Sequence, residues 1–213
     1  MTNQSVIMRQ ETRAVKTVVR NPDSRKRQIL VAARRLLIRR GFQDIVLDDV
    51  AHEAGVAKGT LFLYYKSKEE LFAAALADLV DSLGLELAAL TKTPLQGRKI
   101  LDAAARVVLG HFDFSRDFMS QFSSGRLPGC GARAAEKLKE KIGANHARVR
   151  EILVKASKDG GRSLPDPDFA AAAFIGLCRS ATMRKIIQGH GRPLTAEAGR
   201  VVAFFLKGSG LAL

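Results

Sequence analysis

Tryptophan is absent from this chain of 213 residues, and only 6% of the residues are aromatic. Segments in which β-branched residues alternate with polar ones, the pattern of a half-buried strand, are scarce. Ala and Leu, which favour helices, recur in long runs, and the apolar fraction of 46% is enough to fill one large or two small cores. The composition therefore argues against a β-sheet protein and predicts an all-α fold.

Cysteine is almost as scarce, with only Cys130 and Cys178. One pair cannot form a disulfide framework, and the two residues lack the spacing of metal ligands, so a reducing cytosol is the simplest compartment. His111 with Asp113 suggests a metal site or an acid/base pair, but neither they nor His146 and His190 have the spacing of a ligand set or a catalytic triad. We expect no metal, no cofactor and no catalysis.

Long hydrophobic runs are missing as well. Residues 1–20 contain no apolar stretch of the kind that a secretory signal needs. The most apolar segment, Phe169 to Cys178, meets Arg179 long before it could span a bilayer. The expectation is a cytoplasmic protein without a membrane partner.

Positive charge, by contrast, is abundant and concentrated at one end of the chain. The formal net charge is +14, and residues 1–40 hold eleven basic residues against Glu11 and Asp23, which gives +9 of that total. Such a concentration is typical of a protein that binds a polyanion, either nucleic acid or an acidic membrane surface. A solvated basic face without a partner is the alternative interpretation.

The N-terminal third divides into an arm and a series of helices. Residues 1–23 show no periodicity and are interpreted as a flexible basic arm. From Ser24, apolar residues fall on one helical stripe until Gly41, where a first helix ends. A second, short helix is predicted from Leu47 to Ala54, and a third from Ala57 to Lys66, in which Leu61 and Tyr65 face inward.

Two short helices joined by a tight turn at Gly55 form a helix-turn-helix, whose second helix can present side chains to the major groove of DNA. Gly59, near the start of that second helix, removes a side chain where backbone would approach a sugar-phosphate strand. A merely tolerated glycine is the alternative. This pattern predicts an N-terminal DNA-binding domain over residues 24–72.

The rest of the chain is predicted to be helical. Ser67 to Glu70 is a capping box that opens a long helix, which ends between Gly84 and Pro94. Asp166 and Pro167 favour another helix start, and Thr195 is predicted to cap the last helix. The further helices are expected at about Leu95 to Leu109, Ser115 to Phe122, Ala132 to Lys158, Pro167 to Gln188 and Ala196 to Lys207.

From Ile29 to Leu76 the sequence resembles the TetR family of bacterial transcriptional regulators, and residues 29–72 of this stretch read ILVAARRLLIRRGFQDIVLDDVAHEAGVAKGTLFLYYKSKEELF. The resemblance covers about a fifth of the chain, and its motifs keep their spacing. It implies a homodimer that binds a palindromic double-stranded DNA operator, most often as a repressor. For residues 73–213 it implies a helical effector-binding and dimerisation domain, without naming the small-molecule effector.

The resemblance also assigns roles to single residues. It places Lys58, Gly59 and Thr60 at the start of the DNA-recognition helix, Phe62 and Tyr64 on its groove-facing side, and Lys68 against phosphate. Thr60 can donate to a phosphate or contact a thymine methyl, and Tyr64 can donate its hydroxyl to phosphate. For Phe62 and Tyr64 the alternative is a place in the core.

Three positions depart from the family pattern, and each loses a hydroxyl group. Val46 stands where the family usually has a Thr N-cap, Ala57 where Ser often caps the recognition helix, and Phe62 where Tyr is common. A lost cap costs on the order of 1 kcal/mol. We therefore expect the second and third helices to be held less firmly before DNA binds.

Aromatic and aliphatic clusters supply the candidates for the C-terminal domain. The candidate effector pocket is lined by Phe112, Phe114, Phe118, Met119 and Phe122, although core packing alone also explains this cluster. The candidate dimer interface uses the last two helices through Phe169, Phe174, Ile175, Leu177, Ile186, Val201, Val202 and Phe205.

Two other functions remain open from the sequence. A small helical enzyme or ligand carrier would use the basic arm only for solubility or for anionic lipid. A sequence-indifferent DNA-packaging protein would fit the charge, but it leaves the apolar C-terminal half without a purpose.

Overall fold

The computed structural model describes residues 22–40, 42, 44–122, 132–159, 163–188 and 193–210, and within these ranges it describes the backbone alone for residues 22, 38, 113–122, 132–134 and 159. The described part contains eight α-helices, one 3-10 turn and no strand, which confirms the all-α prediction. The helices are α1 (Pro22–Arg40), α2 (Leu47–Glu53), α3 (Lys58–Tyr64), α4 (Lys68–Thr91), α5 (Gly97–Phe122), α6 (Ala132–Asp159), α7 (Pro167–Gln188) and α8 (Ala198–Ser209), with the 3-10 turn at Leu194–Glu197.

Buried side chains form two separate cores. The first core joins α1, α2 and α3 to the first turns of α4, and we call this unit the head. The second core joins the remainder of α4 to α5, α6, α7 and α8, and we call this unit the bundle. The predicted domain boundary after residue 72 falls inside α4, which runs unbroken through both units.

Helix α1 begins at Pro22, two residues before the predicted start at Ser24. Proline suits the first turn of a helix because its missing N–H would have no partner there and its φ is already helical. The apolar stripe of α1 is buried as predicted, with Ile29 and Ala33 fully enclosed in the head. Almost all of the predicted basic arm, residues 1–21, lies outside the described part of the chain.

Helix α5 differs from the prediction of two helices broken after Leu109. It continues through Gly110 to Phe122 as a single helix. A Cβ at Gly110 would lie 3.7 Å from the Cγ2 of Thr195, so the 3-10 turn packs directly on this glycine. We attribute the continuity to that packing, which outweighs a propensity cost of about 1 kcal/mol for a glycine in a helix.

The prediction that Thr195 caps the last helix is wrong. Thr195 lies inside the 3-10 turn, and the residue before α8 is Glu197, whose side chain makes no capping hydrogen bond. The start of α7 is as predicted, because the Asp166 carboxylate accepts from the N–H of Phe169 at 2.9 Å. Helix α4 likewise starts as predicted, with Ser67 Oγ accepting from the N–H of Glu70 at 3.1 Å. The other half of the predicted capping box is shifted by one residue, because the Glu70 carboxylate accepts from the N–H of Lys66 at 2.7 Å and not from that of Ser67.

Candidate DNA-binding surface and effector cavity

The turn between α2 and α3 is fixed by backbone hydrogen bonds around Gly55. Gly55 has a φ of 61°, a left-handed conformation that glycine adopts without strain. The N–H of Val56 donates to the carbonyl of Ala51 at 3.0 Å, and that of Gly55 donates to the carbonyl of His52 at 3.0 Å. This paired arrangement closes the end of α2 and sets the direction in which the chain enters α3.

Helix α3 is anchored by its inner side. Leu61 and Tyr65 are buried in the head, as the sequence predicts. Burial, with the nearby Asp78 and Glu70 carboxylates, raises the pKa of Tyr65 to about 12, so its hydroxyl stays neutral. These two buried side chains, one in the middle of α3 and one at its end, fix the helix in position, so its other faces stay exposed to solvent.

The outer side of α3 carries most of the predicted DNA contacts. Thr60, Phe62 and Tyr64 are each partly exposed, and Tyr64 also packs against the head core. Gly59 is exposed, and a Cβ built there meets no atom within 4 Å. Packing within the chain therefore does not require glycine at this position, which favours the interpretation that Gly59 leaves room for an external partner.

The two lysines of the predicted contact set have partners within the chain. The Lys58 ammonium lies 2.8 Å from a carboxylate oxygen of Asp48, and both side chains are largely exposed. The Lys68 ammonium lies 4.5 Å from the centre of the Phe42 ring, in a cation–π arrangement. Surface contacts of these kinds are worth about 1 kcal/mol or less, so a phosphate can replace them.

Neither of the two replaced cap residues supplies a side-chain acceptor. Val46 and Ala57 precede α2 and α3 without a side-chain cap, as the sequence predicts. At α2 the Asp49 carboxylate partly compensates, since it accepts from the N–H of Val46 at 3.4 Å. Helix α3 has no such compensation among the described contacts.

Contacts from α1 hold α2 in place instead. The Gln28 amide donates to the carbonyl of Ala54 at 2.7 Å, at the point where α2 ends. Arg39 lies 2.7 Å from Glu53, and Arg40 lies 3.1 Å from Asp49. These side chains use part of the basic face of α1 to fix the helix-turn-helix, a role that the sequence pattern alone did not reveal.

A partly buried ion pair ties the head to α4. Arg34 of α1 donates to the Asp78 carboxylate of α4 at 2.9 Å. Further along the same helix, Val80, Leu83 and Leu87 line a cavity in the bundle. Helix α4 therefore contacts both the head and the cavity.

The cavity has a volume of about 120 Å³ and lies among α4, α5, α6 and α7. Of the five predicted pocket residues, Phe112 lines it. The other four, Phe114, Phe118, Met119 and Phe122, belong to the part of α5 whose side chains are not described, so their role stays a prediction. Sequence reasoning missed the aliphatic lining: Leu76, Leu79, Val80, Leu83, Leu87, Val108, Ile142, Val149 and Ile175.

Four polar side chains also line this apolar cavity, namely those of His111, Asn145, His146 and Arg179. Burial, and then the positive charge of Arg179, lower the pKa of His146. The Nδ1 of His111 lies 2.9 Å from the carbonyl of Val107, and its Nε2 lies 3.6 Å from the Glu86 carboxylate. A largely apolar ligand that carries a polar group matches this lining.

Asn145 is the most enclosed of the four. Its amide donates to the carbonyl of Val80 at 2.9 Å, and its Oδ1 accepts from Arg148 at 2.9 Å. A Cβ at Gly84 would lie only 2.6 Å from that Oδ1, so Gly84 is what allows α6 to approach α4 here. The cavity wall is therefore also a polar contact between these two helices.

The candidate dimer residues fall into two groups. Phe174, Ile175, Val201, Val202 and Phe205 are buried within the single chain, because they form the bundle core. Phe169 and Phe204, by contrast, are 71% and 66% exposed, and with the partly exposed Leu177 they line a groove of about 600 Å³ between α7 and α8. Ile186 and Ile187 are exposed further along α7. A contact with a partner would use this second group directly, and the buried Phe205 also lines the groove.

Neither a membrane span nor a metal cluster is found among the described residues. No described helix combines the length and the apolar character needed to cross a lipid bilayer. No group of three or more His, Cys, Asp and Glu side chains in the described ranges could hold a metal ion.

This geometry defines the class of helix-turn-helix proteins with a helical bundle behind the head. Residues 29–75 match the family described as bacterial regulatory proteins of the tetR family, and residues 115–206 match the AefR-like transcriptional repressor C-terminal domain. The chain belongs to the TetR family of bacterial regulatory proteins.

Curated relatives and solved structures resemble the chain over different lengths. The transcriptional activator FasR of Mycolicibacterium smegmatis is 36% identical over 92 residues, a match that spans 43% of this chain and 41% of FasR. The fatty acid degradation regulator FadR of Bacillus halodurans has a similar fold, with a TM-score of 0.67 and 18% identity over 86% of this chain and 95% of that one. FadR of Bacillus subtilis, solved in complex with stearoyl-CoA, gives a TM-score of 0.62 and 19% identity over 85% and 98%.

Proposed function

We propose that this protein is a dimeric transcriptional repressor that binds a palindromic DNA operator and is released from it by a small, largely apolar effector. The observation that carries the proposal is the fixed orientation of α3. The turn at Gly55 and the buried Leu61 hold this helix with its outer side toward solvent. That surface has the size and shape of a helix that enters the major groove. Its cellular compartment would be the cytoplasm, where the DNA is.

The basic residues would bind the backbone of the same duplex. Lys58 would exchange Asp48 for a phosphate, and Lys68 would do so from its place over the Phe42 ring. Thr60 and the Tyr64 hydroxyl would donate to phosphate or sugar, and Phe62 would contact the sugar edge, since it lacks a hydroxyl. The excess of positive charge in residues 1–40 would strengthen binding to any duplex.

A single short helix contacts few bases, so tight binding calls for two heads. In a dimer the recognition helices would lie about 34 to 36 Å apart, in successive major grooves. The groove between α7 and α8 supports this assembly, because a second copy would cover the exposed Phe169 and Phe204 rings. Phe204→Glu should leave a monomer in a light-scattering measurement, whereas Leu85→Glu, at a similarly exposed leucine of α4, should stay dimeric.

The effector would act through α4. A ligand that prefers a bundle with a displaced α4 lowers DNA affinity by the difference between its binding free energies for the two forms. The apolar lining of the cavity supports a ligand with a hydrocarbon body. An acyl-CoA thioester is a suitable first compound because FadR of B. subtilis, which shares the fold, was solved with stearoyl-CoA. Such a ligand is larger than a cavity of about 120 Å³, so its binding would require α4 and its neighbours to move apart. Its expected effect is release of DNA at a concentration that saturates the cavity.

The central experiment measures affinity for the DNA upstream of the protein's own gene against salt concentration. Wild-type affinity should fall steeply as salt rises. Lys68→Ala should weaken binding and reduce the slope of log affinity against log salt by about one, and Tyr64→Ala should weaken binding as well. Lys99→Ala, which removes an exposed lysine of α5 in the bundle, is the matched control and should change neither.

Unchanged affinity in both head variants would refute the proposed DNA-binding surface. Equal affinity for the upstream duplex and for random DNA at moderate salt would favour the packaging function instead. Binding to anionic vesicles without binding to DNA would favour the ligand carrier. In a transcription assay the protein should lower the output of its promoter, and an increase would place it with FasR, which is named an activator.

A further inference from the structure

Leu63 is the most outward-facing residue of α3, and it is not among the residues to which the family resemblance assigns a role. Its side chain is 76% exposed, the highest value among the large exposed apolar side chains of the head. In a helix with 3.6 residues per turn, Leu63 points about half a turn away from the mean direction of Leu61 and Tyr65. Because those two side chains are buried, the Leu63 side chain extends from the middle of the free face.

The residues near Leu63 on α3 do not cover its side chain. Gly59, one turn earlier on nearly the same face, has no side chain, and a Cβ added there would meet no atom within 4 Å, so the space beside Leu63 is open on that side. Thr60, Lys58 and Lys66, within five residues of Leu63, carry polar or basic groups that are suited to phosphates. An exposed aliphatic side chain on a short helix that also carries such groups is matched to a partner with phosphates beside an apolar group.

The major groove of DNA offers one apolar group among its base edges. The other edges of the four base pairs present hydrogen-bond donors and acceptors, whereas thymine presents its C5-methyl group. A leucine side chain has no donor or acceptor, so it gains nothing from guanine, cytosine or adenine edges and leaves their polar groups without a partner. The proposed function places α3 in the major groove, and there the apolar side chain of Leu63 favours thymine over the other three bases.

We propose that Leu63 is a specificity-determining residue that contacts the C5-methyl group of a thymine in each half of the operator. This inference rests on the proposed function and adds to it a base that the operator must contain. Leu63 neutralises no phosphate, so its contribution is independent of salt, unlike those of Lys58 and Lys68.

The test compares two leucine variants on one set of duplexes. The duplex is selected from a random pool by the wild-type protein, and its thymines are then replaced one at a time by deoxyuridine, which removes only the methyl group. The variants are Leu63→Ala and Leu85→Ala, since Leu85 of α4 is 74% exposed and lies outside the head, so that both truncations remove an exposed leucine of nearly equal accessibility. Thermal unfolding of both variants should match the wild type.

Leu63→Ala should bind the selected duplex about tenfold more weakly than the wild type with an unchanged salt slope, whereas Leu85→Ala should bind like the wild type. One thymine in each half-site should show a loss of about fourfold for the wild type when its methyl is removed. The same replacement should leave the affinity of Leu63→Ala almost unchanged, because the contact is already absent.

Full affinity of Leu63→Ala would overturn the inference while leaving the proposed function intact. Deoxyuridine losses that are the same in Leu63→Ala as in the wild type would also overturn it, since the methyl groups would then be contacted by another residue. If the wild-type protein selected no duplex at all, the proposed function would fall and the inference with it.

Discussion

The head and the bundle are both helical, but their sequences constrain them differently. In the head, single residues have single geometric tasks: Gly55 takes a left-handed turn, Leu61 anchors α3, and Ser67 caps α4. In the bundle, the core is a large set of aliphatic and aromatic side chains, and many of them could exchange places at similar volume. A surface that must fit a regular duplex fixes particular residues, whereas a core around a cavity fixes mainly apolar character.

Helix α4 belongs to both units and therefore connects the head physically to the bundle. Its first turns place Leu71, Phe72 and Ala75 in the head core, and its later turns place Leu87 in the bundle core. Leu76 and Leu79, between these groups, line the cavity. A ligand that moves the middle of α4 would therefore move the base of the head.

The largest expected effect separates the two cores. Phe72 packs edge-on against Phe42 in the head with ring centres 5.1 Å apart, and Phe174 packs in the same way against Phe205 in the bundle at 5.3 Å. Either change to alanine should lower the free energy of unfolding by about 3 to 5 kcal/mol, measured by urea denaturation. Hydrogen exchange should show Phe72→Ala opening the head and Phe174→Ala the bundle. Equal loss of protection in both units from either change would contradict two separate cores.

The contact between α4 and α6 offers the next effect. Gly84→Ala would place a Cβ 2.6 Å from the Asn145 Oδ1 and should displace that side chain from its bond to the carbonyl of Val80. Crowding of this kind costs about 1 to 3 kcal/mol in thermal or urea unfolding. Gly143→Ala on α6 is the control, because a Cβ there meets nothing within 4 Å, and it should not destabilise the protein. Equal stability of the two variants would refute the close approach.

A single added methyl group at Gly59 tests whether the head, unlike the bundle, has a surface that must stay open for DNA. Gly59→Ala should keep or slightly raise the free energy of unfolding, by up to about 1 kcal/mol, since alanine favours a helix and the position is open. The same change should weaken operator binding, because the added methyl meets the DNA backbone. Gly143→Ala should share the gain in stability without the loss of affinity. A Gly59→Ala protein that binds at full strength would show that this glycine is merely tolerated.

The smallest effect concerns His146 at the cavity. Burial and the Arg179 charge lower its pKa below the usual value of 6.5, so the unfolded chain binds more protons than the folded one as the pH falls through 6.5. The contribution of neutral His146 to the free energy of unfolding is therefore complete above pH 6.5, and it is lost as the pH falls below that value. His146→Gln should unfold with a shallower dependence on pH below 6.5 in a series of denaturation curves. An unchanged slope would remove His146 from this account.

The sequence predicted the head more fully than the bundle for a physical reason. Gly55, the inward Leu61 and Tyr65, and the missing caps at Val46 and Ala57 are local features, so neighbouring residues determine them. The break expected after Leu109 did not occur, because Thr195, distant in sequence, packs on Gly110. The polar residues that line the cavity were not predicted for the same reason, since Asn145 and Arg179 come from different helices.

The most direct measurement of the central claim is photo-crosslinking to the operator from a single position. A photoreactive residue at Lys58, on the exposed side of α3, should crosslink to the duplex, and the same residue at Lys99, exposed on α5 of the bundle, should not. Crosslinks should map to the sugar-phosphate backbone that borders the major groove, and they should disappear when the effector releases the DNA. Crosslinks of equal yield from Lys99, or none from Lys58, would contradict the placement of α3 in the duplex.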